Sequence, residues 1–131
     1  MLYSVQKTRD MIARLWEMMA NHRRDKMTDA SLVYVTASTL EEAREIAKAA
    51  VEAKLAACAN ILGGIESSYW WNGELHRDQE TALILKTKTS LVPQLTQKVR
   101  EVHSYDCPCV VALPIGGGNP DFLQWISDET Q

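Results

Sequence analysis

The dipeptide Asn72-Gly73 constrains the fold of this chain more than any other local feature. Both residues tolerate the positive φ angles that the two central positions of a tight hairpin turn require. Extended sequence flanks the dipeptide, with residues 60–71 before it and residues 81–87 after it. We therefore predict a long antiparallel hairpin, and we expect a bulge or bend where Gly63-Gly64 interrupts its first strand.

Two more strands and three helices are predicted around this hairpin. Residues 32–37 and 110–113 are short runs rich in β-branched and apolar side chains, which is typical of buried strands. Apolar residues recur at helical spacing from Leu40 and again from Leu91, and Asn119-Pro120 is a typical start for a last short helix. The predicted order is β-α-β-β-α-β-α.

The first of these helices begins with a capping box, Thr39-Leu40-Glu41-Glu42. The Thr39 hydroxyl can accept a hydrogen bond from the Glu42 amide, while the Glu42 carboxylate accepts a backbone hydrogen bond in return. Apolar residues then follow on one helical face up to Leu55, and many of them are alanine. We therefore expect this helix to pack closely on a sheet.

The predicted order indicates an α+β fold, a ferredoxin-like βαββαβ sandwich with an extra C-terminal helix. A chain of 131 residues with 46% apolar content supports one core, with helices on one face of the sheet. Little remains to cover the other face, and Tyr69, Trp70 and Trp71 place large rings near the hairpin tip. We therefore expect the chain to self-associate.

The first 29 residues differ from the rest of the chain. Their apolar residues recur at helical spacing, which predicts an amphipathic helical leader, 1–29, ahead of a folded domain, 30–131. The apolar stripe comprises Met11, Ile12, Leu15, Trp16, Met18 and Met19. The stripe either packs on its own domain or a neighbouring subunit, or belongs to a frayed tail. Met27 is a candidate alternative start.

Composition argues against several classes of function. The net charge of -3 lacks the basic surplus of nucleic-acid-binding proteins. Apolar runs are shorter than the roughly 20 residues of a membrane span, and the N-terminus lacks the pattern of a secretory signal. The cysteines number three, which suits a reducing compartment better than a disulfide framework. We predict free thiols in a cytoplasmic protein that binds neither nucleic acid nor membrane.

Several short segments follow one another in a characteristic order: Lys54-Leu55-Ala56-Ala57-Cys58-Ala59-Asn60, Ser68-Tyr69-Trp70-Trp71-Asn72-Gly73, Glu80, Leu85-Lys86-Thr87, His103-Ser104-Tyr105, Pro108, Ala112-Leu113-Pro114-Ile115 and Trp125. They resemble the signature segments of the CutA divalent-cation tolerance family. The resemblance covers about residues 32–126 and implies a ferredoxin-like homotrimer, similar in shape to PII-type signalling proteins. It implies a link to copper and other divalent cations, no enzymatic activity and no obligatory cofactor.

The resemblance also implies clefts between subunits. The residues of this chain placed there are Cys58, Tyr69, Trp71, Glu80, Lys86, Tyr105 and Trp125. The copper ligands proposed in some bacterial members are a cysteine near the end of the first strand and two adjacent histidines. Here Val35 and Val102 stand at two of these positions, and only His103 remains.

Cys107 and Cys109 are a second source of metal ligands. Residues two apart at the start of a strand direct their side chains to the same face, so both sulfurs could reach one soft ion such as Cu(I) or Zn(II). With His103 upstream, the best local ligand set is His103, Cys107 and Cys109. The alternative is two unligated small residues beside a proline, because a single C-x-C lacks a second ligand pair.

Other functions remain open at this point. A signalling trimer could bind a small molecule in its clefts, and a trimer could also serve as a structural scaffold. The enzymatic candidate is a Cys58 nucleophile with His103 as its base, but the sequence identifies no third group to orient that base. A metal-ion response protein without enzymatic activity is therefore our prediction.

Overall fold

A computed structural model describes residues 2–26 and 28–131, with side chains for residues 5–19 and 28–131. Met27, the candidate alternative start, lies outside the described residues. The elements are α1 (Leu2–Lys26), β1 (Ala30–Ala37), α2 (Leu40–Glu52), β2 (Cys58–Trp71), β3 (Glu74–Lys88), a 3₁₀ turn (Thr89–Leu91), α3 (Val92–Val102), β4 (Val110–Pro114) and α4 (Pro120–Asp128). From β1 onwards, their order is the predicted β-α-β-β-α-β-α.

The long hairpin is confirmed. Asn72 and Gly73 have φ angles of 51° and 78°, and Trp71 pairs with Glu74 across the turn. The register of β2 against β3 shifts between Ile61 and Gly63, so Leu62 is the extra residue of a β-bulge. The bulge lies at the predicted glycine pair.

The strands form one antiparallel sheet in the order β2-β3-β1-β4. β1 and β3 occupy its centre, which explains why Val33, Val35, Leu83 and Leu85 are completely buried. β2 and β4 are the two edge strands. The predicted α+β class, with helices packed on a four-stranded antiparallel sheet, is confirmed.

Helices α2 and α3 cover one face of the sheet. Alanine side chains keep α2 close to the strands, and larger residues of both helices complete the core. The core cluster contains Val33, Val35, Ala37, Ala43, Ile46, Ala50, Leu55, Ala56, Leu83, Leu85, Leu91, Leu95 and Val99.

The capping box at the start of α2 forms with one difference from the prediction. The Glu42 amide donates to the Thr39 hydroxyl over 3.1 Å, as expected. The Glu42 carboxylate instead accepts from the Ser38 amide through Oε1, also at 3.1 Å. Its second oxygen accepts from the Ser104 amide at 3.1 Å, so this carboxylate joins the start of α2 to the segment after α3.

The opposite sheet face is only partly covered. Helix α4 contacts β1 and β3 at one end, where the Lys86 ammonium lies 5.5 Å from the centre of the Phe122 ring. Val111 and Leu113, which pair with Tyr34 and Leu32 of β1, remain 51% and 58% exposed. This face therefore presents apolar side chains that the subunit itself does not bury.

The apolar stripe of α1 is also exposed. Met11, Ile12, Leu15, Trp16, Met18 and Met19 have between 49% and 67% of their surface accessible. None of these six side chains is buried against the domain. The remaining interpretations of the stripe are packing on a neighbouring subunit and a frayed tail.

Replacing Gly73 with alanine tests the hairpin turn. Its φ of +78° is unfavourable for a residue with a Cβ, so Gly73→Ala should lower the free energy of unfolding by about 1 kcal/mol. Gly117→Ala is the matched control, because a Cβ there would meet nothing within 4 Å and the backbone φ is not in the positive range. Urea unfolding at one protein concentration measures both variants, and equal stability losses would contradict the turn assignment.

Candidate functional site

A cleft of about 640 Å³ opens on the sheet face opposite α2 and α3. The hairpin forms one side of it, and the segment between α3 and β4 forms the other. The hairpin and β1 contribute Tyr34, Thr36, Ile65, Ser67, Tyr69, Trp71 and Glu80, and the segment contributes Ser104, Tyr105, Asp106, Cys107 and Cys109.

Strand alternation places the hairpin residues in the cleft. After the bulge, every second residue of β2 from Ile65 to Trp71 points to this face. Their partners on β3 are Glu80, Asp78, His76 and Glu74. The bulge thus sets which side chains of the outer hairpin reach the cleft.

Two tyrosines bind carboxylates at the cleft. The Tyr105 hydroxyl donates to Glu80 over 3.0 Å, and the Tyr69 hydroxyl donates to Asp78. Burial, together with the hydrogen bond to Glu80, raises the pKa of Tyr105 far above its usual value. The hydrogen bond to Asp78 raises the pKa of Tyr69 as well. Both phenols therefore remain protonated donors at neutral pH.

His103 is buried beneath this segment, with both ring nitrogens engaged. Its Nε2 donates to the Thr36 carbonyl at 2.7 Å, and its Nδ1 accepts from the Tyr105 amide at 3.1 Å. An amide only donates and a carbonyl only accepts, so these bonds define a neutral ring with its proton on Nε2. His103 could bind a metal only by giving up one of these partners.

Glu42, at the start of α2, lies beside His103. Its Oε1 lies 3.4 Å from His103 Nδ1. Burial by itself raises the pKa of Glu42, but the hydrogen bonds from Ser104 and Ser38 outweigh it, so the pKa lies below its ordinary value. The ionised carboxylate therefore stabilises the fold.

The thiols of Cys107 and Cys109 share the cleft. Cys107 is exposed and Cys109 is half-buried. We had expected both at the start of a strand, and this was wrong: β4 begins only at Val110, so both cysteines lie in the irregular segment before it. Among the side chains that the structure describes, those of residues 5–19 and 28–131, no group of three His, Cys, Asp or Glu residues is arranged to hold a metal ion. The set of His103, Cys107 and Cys109 stays a prediction.

The other predicted cleft residues separate into two groups. Tyr69, Trp71, Glu80 and Tyr105 line the cleft, whereas Cys58, Lys86 and Trp125 do not. Cys58 is a free thiol at the start of β2, and its register partner is Lys86. The Lys86 ammonium donates to Asn60 at 2.8 Å and lies near the Phe122 ring, which packs on Trp125. These residues belong to the α4 end of the sheet.

Sequence reasoning did not identify Tyr34, Asp78 and Asp106. A signal existed for Tyr34, because alternation in β1 directs Val33 and Val35 to the core and Tyr34 to the opposite face. Asp78 lies at the cleft because it pairs with Ser67, and that pairing depends on the bulge. Asp106 lies in an irregular segment for which alternation gives no signal.

Comparison with known proteins identifies the family of this chain. Residues 31–129 match the family described as CutA1 divalent ion tolerance protein. The chain belongs to the CutA1 family. It is 46% identical over 99 residues to the divalent-cation tolerance protein CutA of Thermus thermophilus, covering 76% of this chain and 96% of that protein. It is 47% identical over 100 residues to the chloroplastic protein CutA 1 of rice, covering 76% of this chain and 56% of that protein.

Solved CutA1 structures share the fold. The rice CutA1 crystal structure superposes with a TM-score of 0.77 at 44% identity, covering 81% of this chain and 97% of that chain. The periplasmic CutA structure of Archaeoglobus fulgidus superposes with a TM-score of 0.75 at 41% identity, covering 78% of this chain and 99% of that chain. The chain spans a little over half the length of the rice, Arabidopsis and mouse relatives, at 56%, 58% and 57%.

The location of this CutA1 protein stays a prediction. The rice relative is named chloroplastic and the Archaeoglobus structure is titled periplasmic, so the family names point to more than one compartment. Among the described residues, no helix combines the length and apolar character needed to cross a membrane.

The role of Glu42 predicts a specific pH dependence. Its pKa is lowered from 4.5, so its contribution to stability is complete above that pH and is lost as the pH falls through the lower folded value. Glu42→Gln should lower the free energy of unfolding by about 1–3 kcal/mol at about pH 7. The variant should then lose less stability than the original chain on acidification to about pH 3.

Glu41→Gln is the control for this experiment. The Glu41 side chain is 83% exposed and pairs only at 3.8 Å with Arg44, so its loss should change stability by less than about 0.5 kcal/mol. Urea unfolding measured across the pH range decides the result. Parallel pH curves for Glu42→Gln and the original chain would contradict the assigned role.

Proposed function

We propose that this chain is a divalent-cation response protein without enzymatic activity, which acts as a cytoplasmic homotrimer and binds copper or another soft ion through Cys107 and Cys109. One observation carries the proposal: both thiols line the same cleft in a member of the CutA1 divalent ion tolerance family. The names of the relatives favour cation tolerance over a signalling trimer or a scaffold.

The donor set suits a soft ion. Thiolates select Cu(I) and Zn(II), and two thiolates are sufficient for a two-coordinate Cu(I) ion. Asp106, which directly precedes Cys107 in sequence, lines the same cleft. His103 is the predicted third ligand, and its recruitment requires the loss of its bond to Thr36 or Tyr105. Losing such a buried bond costs about 1 kcal/mol or more.

Exposed apolar side chains support the trimer. Leu113 on β4 is 58% exposed, and Trp70 and Leu75 near the hairpin tip are 73% and 53% exposed. The two edge strands, β2 and β4, both carry such residues. Contacts between an edge strand of one subunit and a neighbouring subunit would cover them. The strand order β2-β3-β1-β4, with α2 and α3 on one face, supports the ferredoxin-like form of the proposal.

A metal titration of the reduced chain tests the thiol site. We expect Cu(I), measured against a competing chelator, to bind the original chain with about one ion per subunit, and Zn(II) to bind more weakly. Cys107→Ser/Cys109→Ser should remove this binding or weaken it by about 100-fold or more, because hydroxyl groups are poor ligands for a soft ion.

Cys58→Ser is the matched control, since Cys58 is also a free thiol but lies outside the cleft lining. It should leave the stoichiometry unchanged. Unchanged binding in the double cysteine variant would refute the proposed site.

A further inference from the structure

Helix α1 carries a broad apolar arc that its own subunit leaves exposed. At about 100° per residue, the large apolar side chains of residues 5–19 fall within an arc of about 160° around the helix. Their exposed fractions run from 49% to 67%. Thr8 is the one polar residue of this segment that falls inside the arc. The apolar residues are Val5, Met11, Ile12, Leu15, Trp16, Met18 and Met19.

The charged residues of α1 are sorted around this arc. Lys7 and Arg14 lie beside one of its borders, and Arg9 lies beside the other. Asp10 and Glu17 lie on the far side of the helix, about 180° from the centre of the arc. All five side chains are exposed. Basic groups therefore flank the apolar surface, and the acidic groups face away from it.

The helix and the rest of the chain also differ in net charge. Residues 2–26 include six Lys or Arg and three Asp or Glu, so α1 carries +3. The rest of the chain then carries -6, because the total is -3. An anionic surface attracts a basic segment and repels an acidic one. Such a surface therefore favours contact through α1 rather than through the domain.

The arc suits a flat interface better than a groove on another protein subunit. A coiled-coil seam uses a narrow stripe, whereas this arc takes in almost half of the helix circumference. Amphipathic helices on membranes place such an apolar half at the acyl boundary, while Lys and Arg extend to the headgroups. Trp16 lies at the border of the arc on the side of Arg9, where an indole ring reaches the level of the headgroups.

The domain holds the C-terminal end of α1 close to the sheet. Only three residues separate α1 from β1. Within this link, the Thr28 hydroxyl donates to the Ile115 carbonyl at 2.7 Å. The Asp29 carbonyl accepts from the Thr89 amide at 2.6 Å. A membrane that binds α1 therefore keeps the whole domain near its surface.

We propose that α1 binds the surface of an anionic lipid membrane. Its apolar arc enters the boundary between headgroups and acyl chains, and Lys7, Arg9 and Arg14 bind the anionic groups of the lipids. The arc lies outside the four-stranded sheet, so it is not part of the face assigned to subunit association. The proposal depends neither on the thiols nor on the trimer.

This inference revises the sequence-based prediction that the chain binds no membrane. That prediction came from apolar runs too short to span a bilayer and from the lack of a secretory signal pattern. A helix that lies on the surface needs only one apolar face and a low overall hydrophobicity. Residues 5–19 meet both conditions, because the polar face carries five charged side chains.

Vesicles that differ only in charge test the proposal. The reduced 131-residue chain is mixed at neutral pH with vesicles of one size, and flotation measures the bound fraction. One set contains phosphatidylcholine alone, and the other also contains roughly 30% phosphatidylserine. We expect at least about tenfold tighter binding to the anionic vesicles, and weaker binding at high salt because ions screen the attraction.

Two substitutions by glutamine test the apolar arc. Leu15 lies inside the arc and Ala13 lies outside it, and both side chains are exposed, so both variants should fold. Leu15→Gln should weaken binding to the anionic vesicles by about tenfold, because it removes apolar surface from the interface. Ala13→Gln should leave the binding unchanged. Equal losses in the two variants would contradict the arc.

Two further glutamine substitutions test the charges. Arg14 flanks the arc, whereas Glu17 lies on the far side of the helix. Arg14→Gln should weaken binding to the anionic vesicles by about fivefold, the effect of one basic residue near such a surface. Glu17→Gln should not weaken it. The assigned orientation of α1 would be refuted if both variants lost the same affinity.

Native mass spectrometry separates a lipid surface from a neighbouring subunit as the partner of the arc. Leu15→Gln should keep the oligomeric mass of the original chain, because the arc does not join subunits. A smaller assembly in this variant would overturn the proposal. So would the absence of binding to anionic vesicles by the original chain, or equal binding to the two kinds of vesicle.

Discussion

The antiparallel register of β1 against β3 is the constraint on which the rest of the structure depends. It pairs Val33 with Leu85 and Val35 with Leu83, and all four side chains enter the core beneath α2 and α3. The same register sends Tyr34 to the opposite face and into the cleft. A shift of one residue would exchange the two faces, placing the tyrosine in the core and the valines in the cleft. Core and site are therefore set by one pairing.

A buried polar cluster connects this sheet to the irregular side of the cleft. His103 binds the Thr36 carbonyl at the end of β1, and Glu42 accepts from Ser38 and Ser104 on either side of it. The segment that carries Tyr105 and both thiols is thus anchored to the core rather than held by surface contacts alone. The same anchoring occupies His103, which makes it a better positioning residue than a ready metal ligand.

The order of elements was predictable because its signals are local. Asn72-Gly73 requires positive φ at two adjacent residues, and Thr39 and Glu42 form a cap within one helical turn. The site was only partly predictable. Glu80 and Lys86 were both assigned to clefts between subunits, and that assignment stays a prediction. Within one subunit they lie six residues apart on β3, or about 20 Å along a strand, and Phe122 of α4 lies near Lys86. The engagement of His103 Nε2 depends on Thr36, a contact distant in sequence that no motif encodes.

The central claim is that the sheet face opposite α2 and α3 becomes complete only when subunits associate. Val111 and Leu113 are exposed on this face, and the partly aromatic cleft opens on it. Both features have one physical origin, because the sheet has too few helices to cover both of its faces. Native mass spectrometry of the reduced 131-residue chain at micromolar concentration tests the claim most directly. The account predicts a species of three times the 14.7 kDa chain mass. A spectrum that contains only the 14.7 kDa monomer would contradict it.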